Sequence, residues 1–197
     1  MQFKTNVLIL FLISFTMATA QDNKEAQLPY YEIPDYPETY NACTVAARLI
    51  DGLGFRYYWA TEGLRDEDLA FKPSEEGRTT AETIDHLFGL TRVIMNSTLK
   101  KPNIQVDREE MTFAEKRKKT LEQIKTAADI LRQCEDLSQF TIVFERGDNS
   151  SEYPFWNNIN GPIADALWHC GQVVSHRRTS GNPFNSKVSV FSGKLRN

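Results

Sequence analysis

Gly161 to Pro183 reads GPIADALWHCGQVVSHRRTSGNP, a helix with both of its ends written in. Gly161-Pro162 is a helix start, because proline at the first helical position gives up no hydrogen bond that the helix needs. Ser180-Gly181-Asn182-Pro183 is the stop, with Arg177 and Arg178 in the last turn facing the negative end of the dipole. Between the ends, Asp165 and His169 stand four residues apart. That spacing puts both side chains on one helix face, with Cβ atoms about 5–6 Å apart. A carboxylate and an imidazole so placed can hydrogen-bond each other, or share one metal ion at about 2.0–2.2 Å.

A third ligand would have to come from elsewhere, and the 197 residues contain only three histidines, His86, His169 and His176. His176 follows His169 by seven residues, about 10.5 Å of axial rise, too far to share an ion with it. Beside Arg177 and Arg178, His176 reads as an exposed helix-end residue facing the dipole. His86 remains. It lies in a helix opened by the capping box Thr79-Thr80-Ala81-Glu82 and carrying Ile84, Leu87, Phe88, Val93, Ile94 and Met95. A single histidine on an apolar helix is more often a hydrogen-bonded core residue than a ligand, and an Asp–His pair at this spacing can be a local hydrogen bond. The combination of the two on separate helices is what points to a metal site.

The other elements are read in the same way. A first helix is expected from about Tyr40 to Gly63, with Val45, Leu49, Gly52, Phe55, Tyr58 and Trp59 at helical spacing. A second capping box, Thr112-Phe113-Ala114-Glu115, opens a helix that runs to about Cys134. Its polar face is an ordinary solvated surface. Phe140–Phe144 suits a short strand, and Glu145–Asn160 is polar and turn-rich, a long loop before the last helix. Lys187–Phe191 alternates like a strand without an evident partner. Four helices and few strands predict an all-α four-helix bundle.

A net charge of -3 with no basic stripe argues against a nucleic-acid partner. Lys4, the apolar run Val7–Phe15 and Ala18-Thr19-Ala20 form a secretory signal peptide, too short to span a membrane. The expected organisation is a signal peptide over 1–20, a proline- and tyrosine-rich extended arm over 21–39, and one domain over 40–197, with no membrane span after processing. Cys43, Cys134 and Cys170 are an odd number for an exported chain, so one disulfide and one free thiol is the simplest count. Cys170 points about 100° away from His169 around the helix and reads as a small core residue.

Three features resemble the DinB/YfiT-like family: Thr80-Ala-Glu-Thr-Ile-Asp-His86-Leu, then Asp165-x-x-x-His169-Cys-Gly-Gln172, and the link Leu69-Ala-Phe-Lys-Pro73. The likeness covers about Tyr40 to Pro183. It implies a bundle running up-down-down-up with a pocket for a divalent metal, commonly held by three histidines. His86 and His169 match two of those ligands, and Asp165 stands where the family has the third. Cys170 stands where the family has arginine. The two-histidine, one-carboxylate set suits zinc or nickel first, and iron or manganese after them. The resemblance implies a metal-dependent enzyme acting on a small molecule, by hydrolysis or by thiol transfer. An export signal favours hydrolysis, because cytosolic thiols are then out of reach. A non-catalytic binding or structural protein is the competing class, and a homodimer is compatible with either. The implied helix directions also bring Cys43 and Cys134 to one end of the bundle as the bridged pair. Exported material is expected to begin at Gln21, and an intact mass that retains residues 1–20 would refute the signal.

Overall fold

The computed structural model describes residues 27–105 and 110–197. The expected signal segment 1–20 and the start of the expected arm, 21–26, lie outside them. Four long helices form the body: α1 (Ala42–Thr61), α3 (Thr80–Thr98), α4 (Phe113–Arg132) and α6 (Ala164–Thr179), with short helices α2 (Asp66–Ala70) and α5 (Trp156–Asn158) between them. The two expected capping boxes start α3 and α4. Thr79 N–H donates to Glu82 Oε2 at 2.8 Å and Thr112 N–H to Glu115 Oε2 at 2.8 Å. Asn41 and Thr44 close a third box before α1, each backbone N–H donating to the other's side-chain oxygen.

Helix directions follow from their cross-links. The Cys43–Cys134 disulfide joins the start of α1 to the end of α4, and Arg117 donates to Thr61 at their other ends, so this pair is antiparallel. Lys116 pairs with Asp85, and Thr91 bonds Gln123, which makes α3 parallel to α4. Arg177 near the end of α6 binds carbonyls at the end of α1, so those two are parallel. The core between them holds Ile50, Leu53, Phe55, Tyr57, Leu87, Ile94, Leu121, Leu131 and Val173, all fully buried.

The expectation of a purely all-α four-helix bundle is overturned. Five strands in two small sheets accompany the helices, and the described residues form a mixed structure. Strand β1 (Asn103–Ile104) pairs in parallel with β2 (Thr141–Arg146), which pairs antiparallel with β3 (Asn149–Pro154). The segment expected as a long loop is therefore a hairpin turning at Gly147 (φ 57), followed by α5 and a π-turn over Ile159–Ile163. Helix α6 proper begins at Ala164, after Gly161-Pro162 rather than at it. The tail also has a partner, since β4 (Val188–Ser189) pairs with β5 (Lys194–Leu195). β3 is exposed at every position, so it has no apolar alternation to read, and β1, β4 and β5 are two residues each.

Arm residues 27–39 lie against α1. Tyr30 is buried over Gly54, where a methyl group would come within 2.5 Å of the ring, and its hydroxyl donates to Asp51. Trp59 Nε1 donates to the Tyr31 carbonyl, and Ile33 N–H donates to Gly193 O in the tail. The expected buried stripe of α1 holds at Phe55, Tyr58 and Trp59 but differs nearer the start of the helix. Val45 and Leu49 are exposed, while Ala46, Ala47 and Ile50 are inside. Among the described residues no helix is long and apolar enough to cross a membrane.

The bridge spans 91 residues of sequence, a closure that restricts the unfolded chain and contributes up to about 4.5 kcal/mol. Denaturant unfolding of a Cys43→Ser/Cys134→Ser double variant should show a loss of that order. Unchanged stability would refute a stabilising role.

Candidate metal centre

Helix α3 brings His86 to the seventh position of its length, and antiparallel α6 presents Asp165 and His169 on the facing side. Asp165 lies between the two rings. Its Oδ2 is 3.1 Å from His86 Nε2 and its Oδ1 is 3.2 Å from His169 Nε2. The rings meet edge to face with centroids 4.7 Å apart. Candidate ligand atoms of all three residues fall within 4.8 Å of one another, the spacing a single ion requires. The three residues expected from sequence are thus brought together.

The protonation chemistry of the cluster favours a cation. His169 Nδ1 meets Gln172 Oε1 at 2.7 Å, an acceptor, so Nδ1 carries the hydrogen. In a neutral ring Nε2 is then a bare lone pair aimed at another acceptor, Asp165 Oδ1. Two acceptors at that distance repel unless a positive species lies between them, either a proton on the imidazole or a metal ion. Fixing the tautomer of a ligand histidine through its outer nitrogen is a common property of metal sites. The donor set therefore fits a divalent ion. His169 is 12% exposed along its side chain against 40% for Asp165, so the cluster opens on the carboxylate side.

A cleft of about 920 Å³, lined by His169 but not by His86 or Asp165, runs along α6 past Trp168, Gln172 and His176 to the link Phe71–Arg78. His176 corrects its sequence reading. It is 9% exposed rather than a surface residue, with Nδ1 3.1 Å from Thr80 Oγ1 and Phe71 packed on its ring. The link after α1 folds back over this end of α6, which the helix pattern alone does not show. As expected, His176 is not part of the metal cluster. Cys170, beside His169 in sequence, faces the core at 2% exposure, and burial pushes its thiol up to about 12. It is neither a ligand nor a thiolate nucleophile.

Gln172, Trp168 and Arg78 were not assigned roles by sequence reasoning. Only Gln172 had a signal, its position three residues after His169 on the same face. No family model, curated protein or solved structure matches the chain.

Burial also lowers the pKa of His176 below that of a free histidine. The folded chain then binds this proton less readily than the unfolded chain, whose value is about 6.5. Stability from the neutral ring is present above that value and declines as the pH falls through it toward the folded value. Wild type should lose more stability between pH 7 and pH 5 than His176→Gln in denaturant unfolding. Parallel losses would refute this account of the ring.

Proposed function

We propose that this chain is an exported, DinB/YfiT-like protein that binds one divalent metal ion and uses it to hydrolyse a small molecule. The observation that supports this most is the convergence of His86, Asp165 and His169 from two helices, with His169 also lining a cleft. Two imidazoles and one carboxylate favour zinc or nickel, with iron and manganese as weaker fits. Three protein ligands leave positions open, where the ion would supply Lewis acidity to a group entering from the cleft.

The chain's own residues define the rest of the chemistry. Gln172 holds His169 with Nε2 free of hydrogen, ready to act as a donor. Asp165, the most open of the three, stands at the solvent side. Trp168 and Phe71 contribute apolar surface to the cleft lining. Cys170 is unavailable to thiol chemistry, which weighs against a transferase that uses its own cysteine.

A non-catalytic reading has one observation in its favour. Asp165 already spans both rings at 3.1 and 3.2 Å, so protons alone can close the network. Metal content separates the readings. Untagged protein incubated with zinc or nickel, dialysed and subjected to elemental analysis should retain about one ion per chain. His86→Ala and His169→Ala should lose it, Asp165→Asn should weaken retention less, and Asp165→His should keep or tighten it. His176→Ala should retain the ion. Wild type without retained metal, or loss confined to His176→Ala, would refute the site.

A further inference from the structure

The cleft has a charge pattern that specifies more than an open space. Among the residues lining it there is no aspartate or glutamate, and Arg78 is its one permanently charged group. Arg78 makes no ion pair with a described residue. Glu82, the acid whose charge it influences, is committed to the Thr79 cap through Thr79 N–H and Oγ1. At the same end, His176 has Nδ1 engaged by Thr80 Oγ1, which leaves Nε2 available to a ligand. Arg78 lines the same cleft and precedes Thr80, the partner of His176, by two residues.

His169 marks the other end, seven residues away on α6, about 10.5 Å along the axis. Trp168 flanks it with 72% of its surface exposed, a large apolar area for a cleft wall. Phe71 covers the far end against His176, with ring centroids 5.4 Å apart. The cleft thus has an imidazole end at His169, an aromatic wall and a cationic end at Arg78. Its volume is that of sites taking small organic molecules.

We infer that the cleft takes an elongated organic anion, its reacting group at the His169 end and its anionic group beside Arg78 and His176, about 10 Å away. This inference rests on the proposed metal-site reading for which end reacts, while the anion-binding end stands on Arg78 and the cleft. The ligand needs an apolar, preferably aromatic, portion to cover Trp168. The cleft lining itself offers a cationic molecule no counter-charge, since Asp165 lies outside it.

The test uses two probes with one ring system, 8-anilinonaphthalene-1-sulfonate and its uncharged counterpart N-phenyl-1-naphthylamine, on the full chain after chelator treatment. The sulfonate should bind at one site. Arg78→Gln should weaken it by about fivefold to tenfold, the loss of one charge-assisted contact. Trp168→Ala should also weaken it, because one ligand spans both ends. The uncharged probe should bind wild type and Arg78→Gln alike. Raising salt to 0.5 M should weaken the sulfonate on wild type only. Near-UV circular dichroism confirms that each variant keeps its packing. Equal sulfonate affinity for wild type and Arg78→Gln would overturn the inference, as would indifference to Trp168→Ala. His169→Ala without metal should retain the contrast between probes. The cleft reading can therefore fail while metal is retained, and the metal reading can fail while the anion contrast persists.

Discussion

The guanidinium of Arg177 holds the arrangement on which the site depends. It is 4% exposed and donates to the carbonyls of Trp59, Ala60 and Glu62, the acceptors that α1 leaves unpaired at its C-terminal end, and to Asn182 O and Oδ1. One cation thereby satisfies the end of one helix while fastening the end of another. Asp68, held well below the usual carboxylate range chiefly by Arg65 and by Ser180 and Asn182, closes the same corner from α2. At the other end of α6, Asn158 donates to Ser97 and ties the preceding turn to α3. Helix α6 is therefore fixed at both ends, which sets Asp165 and His169 opposite His86 with little freedom to drift.

That rigidity has a chemical meaning for the cluster. Asp165 presents one oxygen to each ring, and Gln172 occupies the outer nitrogen of His169. The arrangement leaves acceptor facing acceptor and is relieved by a positive species at the centre. His176, in contrast, is a neutral buried ring with a hydroxyl partner, and Cys170 is a buried thiol behind the helix. Three side chains within eight residues of α6 thus have three separate roles, set by which direction each leaves the helix.

Much of the helical part was legible because its signals are local. Thr79 with Glu82, and Thr112 with Glu115, lie within one turn and need no distant partner to be recognised. The Asn41 cap was less visible, because its reciprocal partner is Thr44 rather than an acid or amide. The i, i+4 pair and the scarcity of histidine identified the cluster. The Cys43–Cys134 pairing followed from the family resemblance, not from the residues themselves. What sequence reasoning missed depends on contacts far apart in the chain. The link before α3 buries His176, Tyr30 of the arm packs on Gly54 of α1, and β3 is held by backbone hydrogen bonds that leave no hydrophobic trace.

The odd cysteine has a kinetic consequence. Disulfide exchange needs a thiolate that can reach a sulfur, and a thiol near 12 is ionised only to about one part in 10⁵ at neutral pH. Cys170 is also walled into the core, away from the end of the helices where Cys43 and Cys134 are joined. Once α6 has packed, the third sulfur is removed from the exchange reaction on both counts. The folded chain can carry an unpaired cysteine through an oxidising environment without offering a route to scrambled isomers or to mixed disulfides with other molecules.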